Sequence, residues 1–196
     1  MRSKMTNHRQ HLAQVTARIM VQEGISDFQL AKVKAATQLG IPHTRHLPSN
    51  SEIEAEILIY QRLFHADSHS HHLRQQRQSA LEAMRLLALF NPRLVGEVLQ
   101  GTAHINSKIT LHLFVDNPEE VAIFLLNKNI PYEISEKRFH LSQIVVYPCY
   151  HFMAGEQPIS LIVFKQNDIR WSPPSPVDGK PMRRADSRVV ENLLNT

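Results

Sequence analysis

The stretch LVGEVLQGTAHINSKITLHLF, residues 94–114, decides the predicted fold of this chain. Residues 94–99 form an apolar run broken by Gly96, which predicts a β-strand, and Gly101-Thr102 predicts a turn. Residues 108–114 alternate polar and apolar side chains, which is typical of a strand with one buried face. The two predicted faces of this strand are Ile109, Leu111 and Leu113 on one side and Lys108, Thr110 and His112 on the other.

The segments around this stretch divide into a helical half and a mixed half. Apolar residues recur at helical spacing in residues 8–23, 28–39, 53–64 and 72–90, and Ser26 with Gln29 predicts a capping box at the second helix. Asn91-Pro92 predicts the end of the fourth helix, because proline disfavours a helical conformation in the residue before it. After residue 114, a helix that starts near Pro118 and strands over 131–139, 143–153 and 158–165 are predicted.

This order predicts an α+β protein with an N-terminal helical bundle followed by a small mixed-sheet domain. The predicted domains are residues 1–90 for the helices and 91–171 for the sheet domain. Residues 172–196 are predicted to be a proline-rich linker, Ser172-Pro173-Pro174-Ser175-Pro176, and a basic tail.

The composition is that of an ordinary globular chain with a basic balance. Hydrophobic residues make up 42% of the 196 positions, the formal net charge is +4, and the sequence pI is about 9.4. This charge permits binding to a polyanion without requiring it. Cys149 is the single cysteine, which excludes an internal disulfide and suits a reducing compartment. The basic start lacks an apolar signal region, and the apolar runs are too short for a membrane span. We therefore expect a soluble cytoplasmic protein without a membrane partner.

The predicted strand, turn and second strand of residues 94–114 resemble the core of the DNA polymerase β-like nucleotidyltransferase superfamily. In that superfamily a strand ends in a Gly-Ser turn, and the next strand carries Asp-x-Asp on its exposed face. Gly101-Thr102 matches the turn by residue type, whereas Lys108 and Thr110 stand where the two aspartates are expected. Ser160, in the predicted last strand, stands where the resemblance places the third carboxylate. The resemblance therefore implies the fold without the metal site.

The whole chain also resembles an uncharacterised bacterial family whose members are labelled nucleotidyltransferase-like. The resemblance lies in Leu47-Pro48-Ser49-Asn50, Leu113-Phe114 and Pro181-Met182-Arg183-Arg184. Some members carry the label UDP-N-acetylmuramate–alanine ligase, but residues 101–107 lack the second glycine and the lysine of an ATP-binding loop. The chain is also short for a multidomain ligase.

Three sets of candidate residues follow. The ligand-binding candidates, around the turn and strand of the resemblance, are Gly101, Thr102, Ser107, Lys108, Thr110, His112 and Ser160. The phosphate-binding candidates in the basic tail are Lys180, Arg183 and Arg184, because guanidinium groups match the geometry of phosphate. The weak metal candidates, which could also be a solvated helix junction, are His65, Asp67, His69, His71 and His72. Cys149 is predicted to be a packed thiol rather than a nucleophile.

Three functions remain open on these residues. The favoured one is a catalytically degenerate nucleotidyltransferase-like module that binds a nucleotide, a nucleic acid or a regulatory ligand and needs no cofactor. The second is an active nucleotidyltransferase that uses Mg²⁺ with relocated acids such as Glu97, Asp116 or Asp168. The third is a structural module whose helical half docks a protein partner. The absence of Asp-x-Asp favours a protein that is not an enzyme.

Overall fold

The computed structural model describes residues 2–40, 47–64, 66–141 and 143–195, of which residues 2–7 and 66–68 are described by their backbone alone. The fold is α+β, as the sequence predicts. The elements in chain order are helices α1 Arg2–Glu23, α2 Phe28–Gln38, α3 Asn50–Phe64 and α4 Ala66–Leu86, then strand β1 Arg93–Val95, helix α5 Gly96–Gln100, strand β2 Ile109–Phe114, helix α6 Glu119–Asn127, strands β3 Glu133–His140, β4 Ile144–Ala154 and β5 Gln157–Phe164, and helix α7 Ser187–Leu194. None of the described helices is both long enough and apolar enough to cross a bilayer.

The chain separates into two compact units. The first comprises residues 1–72, 104–107 and 176–178, and the second comprises residues 73–103, 108–175 and 179–196. The first unit is helical and the second contains the sheet. The domain boundaries expected at residues 90 and 171 stay a prediction.

The first unit buries the apolar stripes of its helices. Ile53 and Ile57 of α3 pack in one cluster with Ala31 of α2. The α3 start is a reciprocal cap, in which Ser49 N donates to Glu52 Oε2 at 2.6 Å and Glu52 N donates to Ser49 Oγ at 3.2 Å. The capping box predicted at Ser26 is wrong by one residue, because Asp27 is the N-cap of α2 and accepts from Leu30 N at 2.9 Å.

The second unit is built on one five-stranded mixed sheet in the order β1-β2-β5-β4-β3. β2 and β5 run parallel, and the other neighbouring pairs are antiparallel. The hairpin predicted around residues 154–157 joins β4 to β5. β1 and β3 are therefore the two edges of this sheet.

The strand predicted over residues 94–99 is wrong beyond Val95. β1 ends there, and α5 begins at Gly96, whose φ of +73° lies in the left-handed region that only glycine adopts without strain. Val98 and Leu99 are buried from this short helix instead of from a strand. A short apolar run cannot by itself distinguish a buried helix turn from a strand.

One face of β2 packs as predicted. Ile109, Leu111 and Leu113 are fully buried in the main core of the second unit. The opposite face is also covered, since His112 is 0% exposed and Phe114 is 3% exposed. β2 is thus buried on both faces along much of its length.

The basic tail includes a helix that the sequence did not predict. α7 is capped by Asp186, whose carboxylate accepts from Val189 N at 3.0 Å, and it buries Val190 and Leu194. Ala185 pairs antiparallel with Leu94 through two backbone hydrogen bonds of 2.8 and 2.9 Å. The segment before α7 therefore extends the sheet at β1.

Candidate functional site

A row of polar side chains crosses four strands of the sheet. Thr110 of β2 pairs with Ser160 of β5, Ser160 pairs with His151 of β4, and His151 pairs with Glu133 of β3. Directly paired residues point to the same face of a sheet. Thr110, Ser160, His151 and Glu133, called the polar row below, therefore share the face opposite Leu111.

An open cavity of about 450 Å³ lies at the end of the sheet where β2, β3 and β5 begin and β4 ends, and its lining includes Glu133 and His151 of the polar row. Lys108, Glu133 and His151 contribute its polar side chains, so a cation and a carboxylate stand on its wall. The remaining lining is apolar or aromatic and consists of Pro131, Tyr132, Phe152, Met153, Pro158 and Ile159. A cavity of this size with few polar groups suits a small ligand.

His151 is the central titratable group of the polar row. Its Nε2 lies 2.7 Å from Ser135 Oγ, and its buried Nδ1 has no hydrogen-bond partner among the described residues. Burial lowers the pKa of His151, the Lys108 ammonium lowers it further, and the Glu133 carboxylate opposes both. His151 is therefore neutral at pH 7 and offers hydrogen bonding rather than positive charge.

The residues at this end of the sheet do not fit a magnesium site. Mg²⁺ prefers carboxylate oxygens, but Lys108, Thr110 and Ser160 occupy the three positions that the resemblance assigns to acids. Glu133 is the one acid of the polar row. It lies three strand spacings from Thr110, or about 14 Å. Among the described residues, no group of three or more His, Cys, Asp or Glu side chains could hold a metal ion.

The acids considered as relocated ligands lie in different places. Asp116 follows the far end of β2, where its Oδ1 accepts from Gln166 N at 3.2 Å. Asp168 lies near the same end and accepts from the Tyr147 hydroxyl at 3.3 Å. Glu97 lies in the first turn of α5, two residues after the β1 residue that pairs with Thr110. Glu97 therefore follows the end of β1 that pairs with Thr110, whereas Asp116 follows the far end of β2.

The glycine that directly follows β1 is Gly96 rather than Gly101. β1 ends at Val95 and is followed by Gly96, whereas Gly101 ends α5 with a φ of +86° and donates its N–H to Glu97 O at 2.8 Å. Thr102 and Ser107 are buried in the loop after α5, and Ser107 Oγ accepts from His104 N at 2.9 Å. The strand-turn-strand interpretation of Gly101-Thr102 is wrong, because a helix separates β1 from this glycine.

The phosphate-binding candidates of the tail differ in exposure. Lys180 and Arg183 are exposed. Arg184 is half-buried, and its Nε donates to His112 Nδ1 at 3.0 Å while its Nη1 donates to the carbonyls of residues 168, 169 and 171. The guanidinium carbon also lies 4.8 Å from the Phe114 ring centre and 5.0 Å from that of Phe164. Most donors of Arg184 are thus used within the sheet unit.

Burial is the main cause of the pKa shifts of both His112 and Arg184. Burial lowers the pKa of His112 to about 3, and the neighbouring Arg184 cation adds to this effect. Burial also lowers the pKa of Arg184 to about 10. At pH 7 the pair is therefore a neutral imidazole that accepts from a charged guanidinium.

The remaining candidates give a mixed outcome. Cys149 is buried, and burial raises its pKa to about 11, so the packed thiol predicted there is confirmed. His69, His71 and His72 lie on α4, with the rings of the last two 6.1 Å apart. His65 and the side chain of Asp67 lie outside the described residues. A metal site in this cluster stays a prediction.

His151, Ser135 and Glu133 were not among the residues predicted for this site. Each is an ordinary polar residue in a predicted strand, and only the strand register brings them beside Ser160. Alternation within residues 131–139 and 143–153 was the available signal, but it does not specify which strands are neighbours.

The fold and site define an α+β protein with a mixed sheet and a polar row at one end. No protein-family model and no curated protein sequence matches the chain. Among solved structures, a chain from the structure of the GLD-2/RNP-8 complex aligns with 59% of this chain and 48% of its own length. The identity is 18% and the TM-score is 0.30, so this weak similarity carries no argument about function.

Proposed function

We propose that this protein is a binding module for a phosphorylated ligand, a nucleotide or a nucleic acid, and that it does not catalyse metal-dependent nucleotidyl transfer. The observation that carries the proposal is the set of side chains at the start of β2. Lys108 lines the cavity, and the Thr110 and Ser160 positions pair on adjacent strands. A lysine and two hydroxyls stand where a catalytic site of the resembling superfamily would hold three acids.

These side chains suit phosphate oxygens. The Lys108 ammonium supplies a positive charge with three donors, and each hydroxyl can donate one hydrogen bond. His151 adds hydrogen-bonding capacity without charge, because its pKa is lowered. Because Lys108, Thr110 and Ser160 carry no negative charge, a phosphate beside them needs no divalent ion to offset repulsion from carboxylates.

The apolar part of the cavity suits the remainder of such a ligand. Tyr132, Pro131 and Pro158 line the same cavity as Lys108. The Tyr132 ring is held edge-on against Tyr150 at a centroid distance of 5.4 Å. A ring held in this way offers a surface on which a base can stack.

Titration calorimetry with AMP and ATP in EDTA tests this proposal. We expect heat of binding that persists without divalent ions and falls at least about tenfold in affinity for Lys108→Ala, since charged hydrogen bonds contribute about 1.5–3 kcal/mol. Lys165→Ala, which removes another exposed lysine, is the matched control and should bind as the unchanged protein does. Equal affinity for both variants, or binding only with Mg²⁺, would reject the proposal.

A salt series with a fluorescent single-stranded RNA separates the two ligand classes. Nucleic acid binding weakens steeply with salt because counterions are released from the phosphates. A steep slope that decreases in Lys108→Ala identifies nucleic acid as the ligand. Nucleotide binding in calorimetry without RNA binding identifies a mononucleotide site.

A further inference from the structure

Strand β3 is a long exposed edge of the sheet. It is the last strand in the order β1-β2-β5-β4-β3, and its eight residues pair on one side with β4 alone. Seven of these eight residues are exposed, with Phe139 the buried exception. Such an edge presents unpaired backbone groups to any strand that can align with it.

The charges of β3 are ordered along the strand. The sequence EISEKRFH places Glu133 and Glu136 in the first half and Lys137 and Arg138 in the second half. A second copy of the strand in antiparallel orientation therefore brings the acidic half of one copy beside the basic half of the other. Parallel pairing would instead set acids beside acids.

Symmetry restricts the register of such a pair. A two-fold axis perpendicular to the sheet keeps each residue on its own face, so residues that oppose each other must differ by an even number of positions. The register with Lys137 on the axis sets Glu136 of each copy opposite Arg138 of the other. It overlaps the strand over residues 134–140.

Glu136 and Arg138 are exposed and can therefore form ion pairs between two copies. Glu136 and Arg138 lie on one face, with Oε2 and Nη2 3.7 Å apart and side chains 63% and 68% exposed. An exposed pair at this distance contributes little within one chain. Two copies would arrange four charges in alternating order across the axis.

We propose that this protein forms an antiparallel homodimer through β3, which joins two sheets into one of ten strands, with Glu136 and Arg138 pairing between copies. The like-charged Lys137 side chains meet on the opposite face and weaken the pair. The dimer is therefore weak and sensitive to salt. The proposal is independent of the ligand, because Glu136 and Arg138 lie on the face opposite the polar row.

Sedimentation velocity over a concentration series tests the dimer. We expect the weight-average mass to rise with concentration from 22.5 kDa towards twice that value, and to fall when salt is added. Glu136→Arg and Arg138→Glu should each weaken dimerisation about tenfold or more, because two symmetric pairs change from attraction to repulsion. Combining both substitutions restores opposite charges and should recover the original dissociation constant to within about threefold.

Two outcomes would overturn the proposal. One is a mass of 22.5 kDa at every concentration up to the millimolar range. The other is a dimer whose dissociation constant is unchanged by the single reversals or not recovered by the double reversal. Glu156→Arg, a reversal in the turn between β4 and β5, is the control and should leave the dissociation constant unchanged. Unchanged far-ultraviolet circular dichroism of each variant checks that the fold is intact.

Discussion

Arg184 Nε lies 3.0 Å from His112 Nδ1, although the two residues are seventy-two positions apart in the chain. His112 is fully buried in β2, and Arg184 reaches it from the segment before α7. The contact fixes the tail on the sheet face that carries Phe114 and Phe164. A basic residue predicted for surface phosphate is therefore engaged in holding the fold together.

Replacing Arg184 should destabilise the protein. Arg184→Lys keeps the charge but cannot supply the same set of donors, so His112 Nδ1 and several carbonyls lose their partner. We expect a loss of about 2–4 kcal/mol in the free energy of unfolding, measured by urea denaturation. Arg183→Lys, at the exposed neighbouring position, should change it by less than about 0.5 kcal/mol. Equal effects of both substitutions would show that the Arg184 contacts do not stabilise the fold.

His112 should make stability depend on pH. Its pKa is lowered to about 3 in the folded protein, against about 6.5 in an unfolded chain. Between these values the unfolded chain binds the extra proton, so the stabilisation is fully present above about pH 6.5 and is lost as the pH falls towards 3. We expect urea unfolding between pH 7 and 5 to show a slope of about 1 kcal/mol per pH unit from this residue.

The matched variants isolate this contribution. His112→Asn keeps an acceptor for Arg184 without a titrating ring, and it should flatten the slope even if it lowers stability overall. His8→Asn, which removes an exposed histidine, is the matched control. A His112→Asn slope equal to that of the unchanged protein would assign the pH dependence to other groups.

The protein should not transfer nucleotides in the presence of Mg²⁺ or Mn²⁺. The two metal ions of such a reaction bring four positive charges, and Lys108, Thr110 and Ser160 provide no carboxylate to balance them. We expect no pyrophosphate release from any nucleoside triphosphate and no thermal shift with metal alone. The variant Lys108→Asp with Thr110→Asp should gain a thermal shift with Mn²⁺. Metal-dependent pyrophosphate release that disappears in Glu97→Gln would instead support the active enzyme with relocated acids.

The cap of α7 should contribute to the stability of the sheet unit. Asp186→Ala removes the acceptor for Val189 N at the start of this helix. We expect the free energy of unfolding to fall by about 1 kcal/mol, as read from thermal denaturation. Asn192→Ala, at an exposed position within α7, should cause no loss. A tail that did not belong to the folded unit would leave Asp186→Ala without effect.

Sequence patterns that span only a few residues were sufficient to predict some of the helices and strands. The alternation of Ile109, Leu111 and Leu113 identified β2, and Ile53 with Ile57 identified the buried side of α3. α7 was missed although its signals are present, with a capping aspartate followed by apolar residues at helical spacing. The proline-rich segment before it directed the interpretation towards an extended tail.

The polar row could not be predicted in the same way. Its first link is the parallel pairing of Thr110 with Ser160, fifty positions later in the chain, and its next link depends on β4 lying between β5 and β3. Alternation assigns residues to faces but does not order the strands. His112 was placed correctly on the polar face of β2. Its hydrogen-bond partner Arg184 lies seventy-two positions later in the chain, and no local pattern connects the two residues.

The antiparallel pairing of Leu94 with Ala185 bears on how the protein is made. The edge beside β1 is completed by a residue translated about ninety positions later, and Val190 and Leu194 add to the same core afterwards. During synthesis, β1 and β2 therefore emerge from the ribosome well before their covering segment exists. Nascent chains of intermediate length expose apolar surface and a free strand edge, which are features that chaperones bind. The sheet unit thus completes its folding only after residues 185–194 have been synthesised, rather than strand by strand.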